Sequence, residues 1–434
     1  MMRKNRKTFI RYVIPSTAAM LVTMLYVVVD GIFVGQGVGT NALAAVNLSL
    51  PFVLTMGAVS MMFTMGSAAV TAVRFGRGEK AGANQAFMVG FVLVLFFSLL
   101  FCLLGVLFPS HLAKAFGASP MLLEETAVYI RFYAMFDIFF CLSMFLAAAV
   151  RNDGNPALSM WAMLVGAISN IFLDWLFIFP LQMGVSGAAI ASGIGQVLSC
   201  ILLLFHFVLK KGNLCIRLKD MKYVKEISLC RKIVLRGTPE FVTQMNQSVT
   251  VFCYNLVVFR ILGEMGVSAF AVVTYLLSLS VGLFTGVSQG VQPLFGRSFG
   301  NGDKKSEQNY FKLGIITNAG VALSIYLILF FFGKQIIPVF NGDSRLISIA
   351  DTALKVYGIS FIFAALNIIF TTYFLSTKQT SRAVLVSVLR SFLLNTLFIF
   401  LLPAIFGEKA LWGGIIVAEF FTFLAAIYLK RERA

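Results

Sequence analysis

Phe75-Gly76-Arg77-Gly78-Glu79-Lys80 returns in the second half of the chain as Phe299-Gly300-Asn301-Gly302-Asp303-Lys304. A short hydrophilic loop punctuated by glycine marks a turn between long apolar runs. Its return is the first sign that the chain is built twice. Further out, Phe87 matches Phe311 at the same separation. Gly39, Ala42, Ala44 and Val46 match Gly266, Ala269, Ala271 and Val273 at nearly that separation. Leu173-Asp174-Trp175-Leu176-Phe177-Ile178-Phe179 likewise matches Leu394-Asn395-Thr396-Leu397-Phe398-Ile399-Phe400. The matches keep their order, so the two halves are copies of one unit.

That unit belongs in lipid. Of the 434 residues, 59% are hydrophobic and 12% charged, against about 45–50% and 25% in a soluble domain. The apolar residues come in blocks of roughly 20, the length that crosses a bilayer core. Twelve blocks are predicted, near 12–34, 42–72, 84–108, 122–149, 156–179, 186–209, 235–262, 266–296, 310–333, 347–376, 382–404 and 410–429. All are read as helices, because an open sheet leaves backbone groups unsatisfied in lipid. With the N-terminus inside, 27 of the 35 lysines and arginines fall on inner segments and six on outer loops. This is the positive-inside pattern of a multi-pass inner-membrane protein of a prokaryote with both termini cytoplasmic. The net charge of +17 is therefore mostly topology, and nucleic acid is not needed to explain it.

The expected fold is all-α and integral to the membrane. Twelve transmembrane helices form two six-helix lobes, 1–209 and 235–434, joined by a basic cytoplasmic linker at 210–234. Six helices per copy give both copies the same orientation, so the pseudo-two-fold runs along the membrane normal. Two lobes so related can rock about a central cleft, the basis of alternating access. The basic N-terminus followed by an apolar run is read as a retained first helix, since Arg11, Pro15 and Asp30 interrupt the run and no cleavage site follows. Cys102, Cys141, Cys200, Cys215, Cys230 and Cys253 show no metal spacing and are read as free thiols. The histidines, His111 and His206, are too few for a histidine-built metal site. A membrane enzyme would need a catalytic cluster, and an ATP-driven pump a phosphate-binding loop; the sequence offers neither.

Ionisable groups inside spans are costly and face the bundle interior. Asp30 lies near the outer end of the first span, Asn170 and Asp174 share a face of the fifth, and Ser192 sits about two turns into the sixth. All four fall at similar depth in the outer half of the first lobe. Two carboxylates, an amide and a hydroxyl suit a hard cation such as Na⁺, or a shared proton. The alternative is a structural network, or pairing with Arg131 of the fourth span. Asp137, mid-membrane in the same span, is either a buried hydrogen-bonded acid or a functional one. The second lobe offers amides instead: Gln244, Asn246 and Gln247 in the seventh span, Gln289 and Gln292 in the eighth, Asn367 in the tenth. These, with Arg131 and Asp137, are candidates to line the cavity. Glu240 reads as interfacial, and Glu419 is expected to pair with Arg390. Pro15 permits a kink in the first helix, though membrane helices tolerate proline without one.

Several runs carry a family resemblance. Asp30-Gly31-Ile32-Phe33-Val34-Gly35, Gly39, Ala42-Leu43-Ala44-Ala45 and Pro51-Phe52 resemble the first-helix signature of multidrug and toxic compound extrusion (MATE) transporters. Arg151, Gly154, Pro156, Asn170, Leu173-Asp174 and Gly184-Val185-Ser186-Gly187-Ala188-Ala189-Ile190-Ala191 are similar to its fifth- and sixth-helix signature. Gly237-Thr238-Pro239 and Gln289-Gly290-Val291-Gln292-Pro293-Leu294 are similar to its seventh and eighth. The resemblance implies a secondary antiporter without cofactor, exchanging Na⁺ or H⁺ for small organic molecules, often lipophilic cations. It implies the DinF-like branch, whose cation site matches Asp30, Asn170, Asp174 and Ser192, with serine where threonine is usual. Pro15 matches the proline whose bending is proposed to accompany coupling. The acids that the NorM-like branch places in the seventh and tenth helices are missing here. The chain is expected to act as a monomer among membrane lipid. The alternative is a lipid-linked glycan flippase of the same superfamily, which usually needs a cationic central cavity.

Overall fold

A computed structural model describes residues 2–37, 40–209, 212–217, 223, 226–339 and 343–431. Among the described residues there is no strand. The first six spans are α1 (Met2–Gly37), α2 (Thr40–Gly76), α3 (Lys80–Leu107), α4 (Leu123–Asn152), α5 (Pro156–Ile178) and α6 (Gly184–Val208). A short helix, Pro109–Ala115, which the sequence did not announce, joins α3 to α4. The run Ile227–Gly300 breaks at Gly263, whose φ of 66° and ψ of −160° end one helix and begin another. It therefore supplies α7 (227–262) and α8 (Met265–Gly300). After α9 (Lys304–Ile336) comes α10, bent by 49° between Ser344–Tyr357 and Ser360–Ser376. α11 runs through Thr380–Val388, a π-helical turn Leu389–Leu393 and Leu394–Phe406. α12 is Ala410–Arg431.

Nine helices among the described residues are long and apolar enough to cross a membrane as single pieces, and the bent α10 makes a tenth. In the remaining spans, α7 and α11, the described residues include the shorter apolar helices Cys253–Gly263 and Leu394–Phe406. Both spans also carry charged residues, Arg236 and Glu240 in α7 and Arg390 in α11. Charged residues persist within a span where they face a cavity rather than lipid, and Glu240 and Arg390 do so here. The lipid side is apolar: Phe96, Leu99 and Leu103 of α3 and Ile328 and Phe331 of α9 are exposed.

The helices form two six-helix lobes around separate cores. One centres on Phe87, Phe145 and Phe207, the other on Tyr254, Phe270 and Trp412. The pseudo-two-fold between them appears in reciprocal contacts. A Cβ on Gly76 would collide with the Arg297 carbonyl, and a Cβ on Gly300 with the Val73 carbonyl. Gly300 is the repeat counterpart of Gly76, and Arg297 that of Val73, so one contact is the image of the other. Deeper in, Gly66 of α2 touches the backbone of Ile233 and Gly237 on α7, and Gly290 of α8 touches that of Tyr12 and Val13 on α1. Only glycine permits backbones this close. The returning loops also match: Gly78 and Gly302 both take left-handed φ values, 77° and 72°. Asp303 then caps α9 by accepting from the Ser306 amide at 2.9 Å.

These contacts seal one end of the molecule, the end bearing the basic loops. Hydrogen bonds between the lobes cluster there as well, including Asn5 to Ser306 at 3.0 Å and Arg151 to Gln289 at 3.0 Å. The linker after α6 is gripped from the first lobe. Asp153 Oδ1 accepts from the amides of Asn213 (2.8 Å) and Leu214 (3.3 Å), and its Oδ2 meets His206 Nε2 at 2.9 Å. Leu229 and Ile233, at the start of α7, pack into the first lobe's core.

Candidate cation site and central cavity

The first-lobe acids are brought together by close packing of α5 on α6. Gly195 lies against the Gly166 backbone, and Ser199 Oγ donates to the Ala162 carbonyl at 2.9 Å. One turn along, that approach sets Asn170 opposite Ser192, with Asn170 Nδ2 donating to Ser192 Oγ at 3.1 Å. Asp174, a further turn on, is completely buried. Its carboxyl lies beside that of Asp30 from α1 and near Asn170. α1 carries Asp30 about 22 Å along its axis beyond Pro15, at 1.5 Å per residue, so the acids lie well away from the sealed end.

The hydrogen-bond inventory of this cluster is incomplete. Among the described residues, Asp30 Oδ1, Asn170 Oδ1 and both oxygens of Asp174 are buried and receive no donor. A buried carboxylate without a partner is strongly disfavoured, so this arrangement calls for a proton or a cation. The oxygens match the preference of a hard cation for oxygen ligands. Around them stand Tyr26, beside Gln196, and Tyr129. Ser143 Oγ donates to Gln196 Oε1 at 2.7 Å, which ties the cluster to α4. Tyr26, Tyr129 and Gln196 carry no sequence signal that separates them from ordinary core residues. Only helix packing gathers them.

Arg131, a candidate partner for the acids, lies exposed on α4. It sits within three turns of the helix end, where a long cationic side chain can reach the interface. The pairing alternative therefore has no support in the fold. Asp137 is completely buried inside the first lobe rather than on the cavity, and accepts from the Cys141 thiol at 3.2 Å.

Between the lobes, above the glycine seam, is a cavity of about 260 Å³. The first lobe contributes methionines, among them Met20, Met24, Met61 and Met65; the second contributes Thr243, Gln244, Thr285, Gln289 and Thr371. Gln244 and Gln289, two of the second-lobe amides singled out in the sequence, lie on this wall. Gln292 and Asn367 are not on this wall: Gln292 is buried, and Asn367 Nδ2 donates to Glu419 Oε2 at 2.7 Å within the second lobe. The side chains of Asn246 and Gln247 lie outside the described residues. α1 is helical through Pro15, and the residues flanking it pack on Gly286 and Gly290 of α8.

Three charged residues on the cavity wall were read otherwise from sequence or passed over. Glu240, expected at the interface, lines the cavity. Arg151, which falls between the predicted spans 122–149 and 156–179, is buried at 7% exposure and donates to Ser159 Oγ (3.1 Å) and Gln289 Oε1 (3.0 Å). Arg390 reaches the cavity from the π-helical turn while its Nε donates to Glu419 Oε1 at 2.7 Å. The expected pair is thus present, and its arginine also faces the cleft. A π-turn has no sequence signature, so its effect on Arg390 was not legible.

The sequence pattern of the MatE family matches residues 15–176 and again residues 239–401. These are the two lobes, at the spacing of the internal repeat. The chain is 24% identical over 432 residues to the multidrug export protein MepA of Staphylococcus saprophyticus, covering 98% of this chain and 94% of that protein. MepA of Staphylococcus aureus is similar to the same degree, 24% over 434 residues with the same coverage. Among solved structures, an outward-facing multidrug resistance MATE family transporter of the MOP superfamily superposes with a TM-score of 0.93 at 22% identity, over 99% of this chain and 96% of that one. Two six-helix lobes, a methionine- and amide-lined cleft between them and two family matches in register with the repeat lead to one assignment: this chain is a membrane transporter of the MatE family.

Proposed function

We propose that this protein is a cation-coupled multidrug exporter working by alternating access, with Asp30, Asn170, Asp174 and Ser192 binding the coupling Na⁺ or H⁺. The observation that carries the proposal is the set of buried first-lobe oxygens without donors among the described residues. A coupling cation binding there neutralises the acids and alters the packing of α1, which carries Asp30 at one end and lines the seam at the other. Pro15 is the proposed point of flexure, because it removes the backbone bond to the Arg11 carbonyl. The closed seam on the basic-loop side corresponds to an outward-facing state if both termini are cytoplasmic. A ligand shifts such an equilibrium only by binding the two states unequally. The named relatives are multidrug export proteins, which supports small organic molecules as cargo. The methionine-lined wall suits lipophilic cations, since thioethers are polarisable and adaptable. A flippase of anionic lipid-linked glycans is less well served, because Arg390 is neutralised by Glu419 and Glu240 shares the wall with Arg151.

The test uses purified protein in liposomes under a Na⁺ gradient and a pH gradient separately, following a fluorescent lipophilic cation. Wild type should move the dye under at least one gradient, which names the ion. Asp174→Asn should insert and purify normally yet lose gradient-driven transport. Full coupled transport by that variant would remove the acid cluster from the mechanism.

A further inference from the structure

The second lobe holds a smaller cavity of about 140 Å³ behind the central one. Phe270, Tyr357 and Phe361 wall it, and Thr250, Asn395 and Glu419 line it. Arg390 lines both cavities, with Thr243, Ser278 and Val281, and so forms the charged part of the partition between them. In the internal repeat Asn395 is the counterpart of Asp174, so the acid of the first-lobe site is an amide here. Its Nδ2 donates to Thr250 Oγ1 at 2.9 Å. The lobe's carboxylate comes instead from Glu419 on α12, and its cation is part of the chain. The Glu419 side chain is 4% exposed and is held by Arg390 Nε and Asn367 Nδ2, both at 2.7 Å. The Oδ1 atoms of Asn367 and Asn395 are buried and receive no donor among the described residues.

A guanidinium in this position has two carboxylates to choose from. Glu419 lies on one side, and Glu240, which feels its charge, lies on the central-cavity wall. The π-helical turn places Arg390 at an irregular point of α11, a feature frequent at functional sites. If the guanidinium turns to Glu240, Glu419 is left buried without a counter-charge, which is strongly unfavourable unless another cation replaces it. Three aromatic rings and the unused amide oxygen of Asn395 are what an ammonium head would meet there.

We propose that Glu419 is the carboxylate of an organic-cation subsite in the second lobe, and that Arg390 is its tethered occupant, displaced toward Glu240 when an aryl-alkylammonium head group enters from the central cavity. This deepens the exporter reading and rests on it for the cargo class, but it concerns binding and needs no gradient.

Trp412 provides the readout. It stacks on Phe270 of the cavity wall at 5.9 Å between centroids, and the other tryptophans, Trp161 and Trp175, are exposed. In a Trp161→Phe, Trp175→Phe background in detergent, benzyltrimethylammonium chloride is titrated against Trp412 fluorescence, with NaCl as the ionic control. Arg390→Met should tighten binding by about tenfold or more, since the occupant is gone. Glu419→Gln should abolish saturable binding. Glu240→Gln should weaken binding by about tenfold, because the displaced guanidinium loses its second partner; this variant leaves the buried pair intact and decides the matter if Arg390→Met does not fold. Unchanged affinity in Glu240→Gln, weaker or unchanged affinity in folded Arg390→Met, or saturable binding in Glu419→Gln would each overturn the proposal. Binding that follows the expected order in a protein inert under both gradients would instead count against the coupled-export reading alone.

Discussion

Gly300→Ala should open the sealed end. The atoms nearest a Cβ at Gly300 are the Val73 carbonyl and the Gly76 Cα. All are backbone, so no side chain can swing aside and the two helix ends must separate. Forcing a methyl group into a packed contact costs about 1–3 kcal/mol. The cost falls only on the state in which the seam is closed. The helix-propensity gain of alanine over glycine, about 1 kcal/mol, is present in both states and cancels. The closed-to-open ratio should therefore drop by a factor of about 5 to 150. Spin labels on exposed Lys80 and Lys305, in a background lacking the six native cysteines, would report the distance across the seam by double electron–electron resonance. The longer-distance population should grow in Gly300→Ala, and likewise in its repeat counterpart Gly76→Ala. Gly302→Ala is the control: its φ of 72° strains alanine, but a Cβ there meets open space, so the strain is the same in both states. An unchanged distance distribution in Gly300→Ala, or an equal change in Gly302→Ala, would refute the assignment of the seam as the gate.

Other tests address parts of the molecule separately. Ser192→Ala should weaken binding of the coupling cation about five- to tenfold, as loss of one oxygen and of Asn170's acceptor costs about 1 kcal/mol, while Ser192→Thr should stay near wild type; direct ion titration of the purified protein checks both. Asp153→Ala removes the acceptor for the Asn213 and Leu214 amides, so limited proteolysis within 212–217 should become several-fold faster with transport largely kept. Side-chain and backbone hydrogen bonds from Ser306 hold the Asp303 carboxyl below its usual range. A lowered folded-state value means that the α9 cap is fully present above the unfolded value of about 3.9 and is lost only as pH falls through the folded value. The cap should therefore persist at pH 5, and Ser306→Ala should shift the Asp303 carbon-13 carboxyl titration upward.

The lobes and helices were legible because lipid imposes a simple requirement: blocks of apolar residues, broken by glycine and charge, must be helices. The return of the Phe75–Lys80 loop at Phe299–Lys304 showed that there were two copies, and the family resemblance carried Asp30, Asn170, Asp174 and Ser192 to one site. What sequence could not fix was anything set by contact between distant segments. Arg131 and Arg390 look alike as single arginines in apolar spans, yet one is exposed on the flank of α4 and the other lines two cavities from a π-helical turn. Glu240 and Arg151 read as boundary residues because distance along a helix says nothing about what the neighbouring lobe places opposite. The bend of α10 was likewise silent, whereas the break at Gly263 falls in the gap between the predicted spans 235–262 and 266–296. The sequence by itself determined which surfaces must leave water and how often the unit repeats, since both follow from composition and order along the chain. Only the tertiary structure decided which polar groups share a cavity, because that depends on helix rotation and on the few glycine contacts that let two lobes meet.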